Sequence, residues 1–294
     1  MQCPKCHFEH DDGATECLKC GIVFAKFAEH QKFVEVQRKF GKEDQEEAAE
    51  LRQELTSRFL ALPLALILAR FSVALAPAAV RILAMFVHES GHAVTAWLCG
   101  YWAVPGLWFT PVGEERTIGV TVFFIGLLGF GCFWAWTSGH RALALMSAAF
   151  LGVQIVFTML PAQTAQMLIT FGGDGGSLVL GSLLISTFYF RRGSAIYDSS
   201  VRWGFLGIGA LAFMDAFQSW TGKEEDIPFG TQEGTLSDPS TLVETYGWTI
   251  QLMMQRYVRL AAACLVALAI LYVIGILQTR AELASYRTTK PAFS

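Results

Sequence analysis

Long uncharged, apolar stretches separated by short polar segments make up most of the chain from residue 59 onward. A helix needs about 20 apolar residues to cross a lipid bilayer, and these stretches are close to that length. The first is the weakest, because it contains Pro63 and Arg70 and is followed by Pro77, and an interfacial or re-entrant helix is the alternative there. The pattern predicts six or seven membrane helices, at residues 59–76, 78–98, 117–136, 142–160, 175–190, 203–220 and 260–277.

Residues 1–58 follow a different, charge-rich pattern. From residue 23 to residue 58 the spacing is helical: an incomplete apolar stripe begins at Phe24, and residues 43–55 are rich in good helix formers. We expect Gly41 to break the helix between these two parts. The segment 23–58 is interpreted as a solvated helical linker, and a helix that binds a partner is the alternative.

The composition agrees with a membrane protein. Of the 294 residues, 53% are hydrophobic and 16% are charged, which is too apolar for an ordinary soluble protein. The net charge of −3 gives no reason to expect a nucleic acid partner. The sequence therefore predicts an all-α polytopic membrane protein, embedded in the lipid bilayer, with a small N-terminal module and a helical linker.

Two Cys-x-x-Cys pairs, separated by ten residues, lie within the first 20 residues. This spacing is typical of a zinc ribbon, in which four thiolates hold one structural Zn²⁺. Two disulfides are the alternative, which we disfavour because the first apolar stretch begins only at Phe59 and no secretion signal is expected. His7 and His10 lie between the pairs and are interpreted as exposed loop residues. The predicted ligands are Cys3, Cys6, Cys17 and Cys20.

The charges of the segments between and after the apolar stretches indicate how the chain is oriented in the membrane. Arg191, Arg192 and the C-terminal tail are basic, whereas residues 223–244 contain six acids and one lysine. The positive-inside rule places the basic segments in the cytosol, and seven spans would then put the ribbon outside. A cytosolic ribbon, which we favour, requires either that the first segment does not cross or that the charge rule fails in the second half of the chain. The ribbon resembles those at the N-termini of many bacterial proteins, so we expect a bacterial inner membrane location with a cytosolic ribbon. The predicted parts are the zinc ribbon (1–22), the charged linker (23–58), the membrane-embedded domain (59–279) and the tail (280–294).

The sequence His88-Glu89-Ser90-Gly91-His92 places ionisable residues within an apolar stretch. On a helix, His88 and His92 point the same way one turn apart, so that both imidazoles can bind one Zn²⁺. Glu89 lies one step round the helix, where it suits a general base. Ionisable residues are costly in lipid and are functional by default, which disfavours a chance match. The motif predicts a hydrolytic zinc site.

Such a site uses three protein ligands and one open position for water. The membrane region offers two aspartates. Asp174 lies in a glycine-rich segment at the head of the predicted helix 175–190, and Asp215 lies inside the predicted helix 203–220. If successive helices alternate in direction, Asp174 lies near the membrane face toward which the HExxH helix runs. We therefore predict Asp174 as the third ligand, with Asp215 as the alternative.

These motifs resemble those of the site-2 proteases, the intramembrane zinc metalloproteases. Residues 88–93 are similar to the HExGHA helix of that family, and Asp174-Gly175-Gly176 is similar to its second motif, whose Asp supplies the third ligand. Residues 101–116 resemble the hairpin that follows the first motif. The resemblance covers about residues 78–190. The family's Asn before the Asp has no counterpart, because the chain contains no Asn.

The resemblance implies an enzyme that hydrolyses peptide bonds in or near the membrane-spanning segments of substrate proteins. Zinc would lower the pKa of a bound water, and Glu89 would act as the catalytic base. The expected cofactors are one catalytic and one structural Zn²⁺, and the ribbon is the candidate contact for a protein partner. Two alternatives remain open: a non-catalytic membrane scaffold whose ribbon binds a partner, and a CAAX-type membrane protease with a downstream Glu as third ligand.

Overall fold

The fold is that of a computed structural model, which describes residues 1–9, 11, 13–232 and 235–289. His10 and the end of the predicted tail lie outside the described residues. The helices are α1 (Phe24–Leu75), α2 (Pro77–Leu98), α3 (Ile118–Thr137), α4 (Arg141–Thr158), α5 (Ala162–Ser186), α6 (Ala195–Asp198), α7 (Val201–Thr221), α8 (Asp238–Glu244) and α9 (Ile250–Thr289). The strands are β1 (Tyr101–Ala103), β2 (Val112–Arg116), β3 (Thr231–Gln232) and β4 (Thr235–Leu236).

The chain forms two compact units, one of residues Met1–Ser57 with Leu277–Ser294 and one of residues Arg58–Ile276. In the first unit, antiparallel bridges between Gln2 and Glu9 and between Glu16 and Val23 close the two cysteine-bearing turns. The prediction that the helix breaks at Gly41 is wrong, because α1 continues through this residue. A helical glycine costs only about 1 kcal/mol relative to alanine, which the strong helix formers around it offset.

In the part of the chain that the structure describes, five helices are long and apolar enough to cross a membrane, and they indicate an integral membrane protein. The sequence predicted six or seven. The difference lies in α2 and α7, which are not among the five. Helix α2 carries Arg81, Glu89 and two histidines, which lower its hydropathy. The five candidate spans are Gln45–Leu75, Ile118–Thr137, Arg141–Thr158, Ala162–Tyr189 and Ile250–Tyr286.

Helix α5 packs against α2 on one side and α7 on the other, through glycines. A Cβ added to Gly91 of α2 would lie 2.2 Å from the carbonyl oxygen of Gly172, and one added to Gly176 would lie 2.2 Å from the Cα of Gly91. On the α7 side, a Cβ at Gly181 would lie 2.8 Å from the carbonyl oxygen of Gly209. These helices therefore touch backbone to backbone, which larger residues would prevent.

The C-terminal end of α2 is fixed by side chains from elsewhere in the fold. Gln154 of α4 donates to the carbonyl oxygens of Trp97 and Leu98, each at 3.1 Å. Arg116 donates through Nε to the carbonyl oxygen of Cys99 at 3.1 Å. These bonds satisfy carbonyls that have no partner within the helix. They also fix the start of the β1–β2 hairpin, in which Tyr101 pairs with Arg116.

Candidate metal centre

The two histidines of the HExxH motif meet on one face of α2. The Nε2 atoms of His88 and His92 lie 3.2 Å apart, and the two rings stand edge to face. The spacing of four residues places both side chains on the same side of the helix. The sequence therefore predicted this part of the site from the helical period alone.

A third donor reaches this pair from α8. The Oδ2 atom of Asp238 lies 3.2 Å from Nε2 of His88 and 3.1 Å from Nε2 of His92. Asp238 is the first residue of α8, and Ser237 caps that helix by accepting from the backbone N–H of Ser240. The cap fixes the residue beside it, and so it holds the half-buried carboxylate of Asp238 over the imidazoles.

The outer nitrogens of both histidines face acceptors. Nδ1 of His92 lies 2.7 Å from the carbonyl oxygen of Ile169, which can only accept, so Nδ1 carries the proton. Nδ1 of His88 lies 3.1 Å from Oδ1 of Asp174. In the neutral rings both Nε2 atoms then present lone pairs to each other and to Asp238. Three electron-pair donors at this spacing can hold one cation between them.

The donor set fits Zn²⁺. Ligand atoms about 2.0–2.1 Å from a tetrahedral zinc lie roughly 3.3 Å from one another, and the three separations here are 3.1–3.2 Å. Two imidazoles and one carboxylate also leave one coordination position open, as catalytic zinc sites do. Histidine ligands typically donate their other N–H to a carboxylate or carbonyl, the arrangement made here by Asp174 and Ile169.

Asp174, the predicted third ligand, faces the nitrogen of His88 that points away from His92. Its Oδ1 faces Nδ1 of His88, and its Oδ2 accepts a hydrogen bond of 2.8 Å from Nε1 of Trp220. It does not belong to the group of converging ligand atoms, in which Asp238 takes the third place. The reason is that Asp174 lies in the middle of α5 rather than at the head of a helix, and α5 runs alongside α2.

Gly173, the neighbour of Asp174, explains how α5 passes so close to the imidazoles. A Cβ at this position would lie 2.6 Å from Nε2 of His88 and 2.6 Å from Nε2 of His92. Real Cβ atoms are never that close to a neighbouring atom without a shift. The glycine therefore gives the metal centre a backbone wall on the α5 side.

Asp215, the alternative ligand, lies in an ion pair. Its Oδ2 is 3.0 Å from Nε of Arg81, and the residue is buried. The structure thus brings Asp215 to α2 but not to the imidazole pair. A partner on the neighbouring helix is how a carboxylate in an apolar segment is commonly stabilised.

Glu89 lies beside the histidines in the wall of a cavity of about 730 Å³. The cavity is also lined by His88, His92 and Asp238. Thr110, in the loop between β1 and β2, donates to the backbone oxygen of Glu89 at 2.9 Å, which ties the hairpin to the motif helix. Glu89 is little exposed overall, but it lines the same cavity as the metal donors.

The charge of Asp238 is set by its neighbours. Burial disfavours the ionised form, but in the metal-free site the protonated imidazoles of His92 and His88 outweigh it, through their charge and their N–H groups, and hold the pKa of Asp238 well below its usual range. The carboxylate is therefore ionised at neutral pH, as a metal ligand must be.

The four N-terminal cysteines form a second group of potential ligands. Sγ of Cys3 lies 3.7 Å from Sγ of Cys20, and Sγ of Cys6 lies 3.5 Å from Sγ of Cys17. All four are free thiols, and these distances are close to the roughly 3.8 Å edge of a tetrahedral zinc–thiolate site with bonds of about 2.3 Å. His7 is exposed and does not belong to this group.

Sequence reasoning missed Asp238. It lies in the acidic segment 223–244, which was interpreted only as a signal of membrane orientation. The pattern Ser237-Asp238-Pro239 marks a helix start, but nothing in it marks a ligand. Comparisons of the chain with protein-family models, with curated proteins and with solved structures give no match.

Proposed function

We propose that this chain is an intramembrane zinc metalloprotease, which hydrolyses peptide bonds in or near membrane-spanning segments of other proteins. The observation that carries the proposal is the convergence of Nε2 of His88, Nε2 of His92 and Oδ2 of Asp238, with each histidine's Nδ1 on an acceptor. The HExxH motif and five apolar helices support the reaction type and the setting.

In this proposal His88, His92 and Asp238 hold the catalytic zinc. The ion, when bound, supplies a Lewis acid that makes water nucleophilic near neutral pH. Glu89 takes the proton of the attacking water and returns it to the leaving nitrogen of the peptide. Asp174 and the carbonyl of Ile169 keep the proton of each imidazole on Nδ1, so that both Nε2 atoms remain ligands.

The cavity suits a peptide segment in extended form. Its wall combines the catalytic groups with apolar side chains of the hairpin loop and of the segment before α8, among them Trp108, Phe109 and Phe229. A volume of about 730 Å³ is in the range of sites that enclose a substrate. A membrane-spanning helix would have to unwind locally, because a helical peptide bond is shielded by its own turn.

The proposal also assigns a metal to the N-terminal thiols and an orientation to the chain in the membrane. The Cys3, Cys6, Cys17 and Cys20 site holds a structural zinc, and the ribbon around it contacts a partner or substrate protein. The protein lies in a bacterial inner membrane with the ribbon in the cytosol. This orientation follows the positive charge of Arg191 and Arg192.

Glu89→Gln tests the reaction. Wild-type protein and variant are reconstituted in liposomes with a panel of fluorescently tagged single-span membrane proteins. We expect cleavage to fall by about 10²–10⁴-fold, since the variant lacks the general base, while zinc content stays at that of the wild type. Glu244→Gln, an exposed residue on α8, is the matched control and should cleave normally. Undiminished cleavage by Glu89→Gln would overturn the assignment.

A further inference from the structure

Arg81 lies in the wall of the cavity that holds the metal donors. It precedes His88 by seven residues on α2, which is two helical turns and about 10 Å along the axis, on the same face. Its side chain is 40% exposed. It is the only lysine or arginine of α2, and its position in the cavity wall suits a role toward a ligand.

The guanidinium is held in one orientation by α7. Nε lies 3.0 Å from Oδ2 of Asp215, and Nη2 lies 3.4 Å from Oγ of Ser219. Ser219 in turn donates to the backbone oxygen of Asp215 at 3.0 Å. These contacts use two of the five N–H donors of the guanidinium. The side chain is thus fixed in place while donors remain for a ligand.

An anionic group in the cavity would bind at Arg81, because the wall's carboxylates, those of Glu89, Asp174 and Asp238, would repel it. Among the described residues that line the cavity, Arg81 is the only lysine or arginine. The aspartates near it already have partners: Asp238 faces the imidazoles, Asp174 accepts from Trp220 and faces His88, and Asp215 pairs with Arg81. A ligand carboxylate at Arg81 therefore meets the one cationic side chain of the wall.

We propose that Arg81 binds a carboxylate of the substrate peptide, about three residues from the bond that is cut. The spacing follows from the 10 Å between Arg81 and His88, since extended chain rises about 3.3 Å per residue. The planar guanidinium matches a carboxylate with two parallel hydrogen bonds. This inference rests on the proposed function and names its substrate class: peptides with an acidic side chain, or a free C-terminal carboxylate, on one side of the scissile bond.

The test is equilibrium binding of fluorescent apolar peptides to the zinc-loaded Glu89→Gln protein in detergent. Two amidated peptides differ only in one internal Glu or Gln, and two others differ only in a free or amidated C-terminus. We expect at least one carboxylate peptide to bind about tenfold more tightly than its neutral twin, as a charge-assisted hydrogen bond gives. Whichever pair shows the difference identifies the source of the carboxylate.

Arg81→Gln should abolish that preference while zinc content stays unchanged. The double variant Arg81→Asp with Asp215→Arg keeps an ion pair between α2 and α7 but puts an acid at the cavity wall, and it should also lose the preference. Equal affinity within both peptide pairs, or a preference that survives in Arg81→Gln, overturns the proposal.

These results are separable from a failure of the proposed function. If the protein is not a hydrolase of this kind, wild-type protein and Glu89→Gln show the same cleavage, or the zinc expected at His88 and His92 is absent. Neither result depends on peptide affinities. A carboxylate preference that requires Arg81 is measured without any cleavage, because the binding assay uses the Glu89→Gln protein throughout.

Discussion

Nδ1 of His88 lies 3.1 Å from Oδ1 of Asp174, while Nε2 of the same ring lies 3.2 Å from Oδ2 of Asp238. The two aspartates thus face opposite nitrogens of one imidazole. Trp220 fixes Asp174 from behind, with its Nε1 2.8 Å from Oδ2 and its ring stacked on Tyr257. In the proposed zinc site, this relationship gives Asp174 the role of orienting a ligand and Asp238 the role of being one.

Asp174→Asn is expected to weaken binding of the catalytic zinc by about 10–100-fold without abolishing it, because the amide orients His88 less well than a carboxylate does. The measurement is competition against a chromophoric chelator. Trp220→Phe, which keeps the stacking and loses the hydrogen bond to Asp174, should show a smaller loss. Complete loss of this zinc in Asp174→Asn, with normal binding in Asp238→Asn, would restore Asp174 as the direct ligand.

Gly173→Ala should disrupt the same site by steric contact. The added Cβ would lie 2.5–2.6 Å from atoms of the two imidazoles, so the rings or α5 must move. We expect loss of the catalytic zinc and a destabilisation of about 1–3 kcal/mol, as for overpacking elsewhere in a core. Gly126→Ala is the control, since a Cβ there meets nothing within 4 Å. Zinc content and thermal unfolding in detergent report both effects, and equal behaviour of the two variants would contradict the geometry.

The thiol site should lose its zinc as the pH falls. A backbone hydrogen bond from Ile22 lowers the pKa of Cys20, but burial and the neighbouring Cys17, Cys6 and Cys3 together outweigh it and raise this pKa to about 12. Without metal this thiol keeps its proton at neutral pH, so zinc must displace that proton to bind, and protons compete more strongly at lower pH.

This pH dependence is measured in the His88→Ala background, in which the ribbon site is the only one expected to retain zinc. Lowering the pH by about two units should weaken binding by at least about tenfold. Cys20→Ser should release zinc even at the higher pH. An affinity that does not change with pH would show that the four thiols are not the ligands.

The parts of the molecule that local sequence patterns determine could be predicted. Helical period alone brings His88 and His92 together, and Cys-x-x-Cys spacing alone brings four thiols together. The third donor, Asp238, depends instead on how α8 packs against α5, and no periodicity encodes that long-range contact. The glycines around Asp174 permit close backbone approach at a helix crossing, whereas the sequence placed them at a helix start.

The number of membrane helices was less predictable for a related reason. Helices α2 and α7 carry the ionisable residues that make the site, among them Arg81, His88 and Asp215, and these same residues reduce the hydropathy on which a span prediction depends. At Gly41 the sequence predicted a helix break that the structure does not have. The cost of one glycine in a helix is smaller than the gain from the strong helix formers around it.

The central claim is that His88, His92 and Asp238 hold one zinc ion, and the zinc content of purified protein tests it most directly. Elemental analysis of wild-type protein should give about two zinc ions per chain, one in each site. Asp238→Ala should give one, as should His88→Ala, whereas Glu244→Ala on the same short helix should still give two. One zinc in the wild type, or two in Asp238→Ala, would contradict the account.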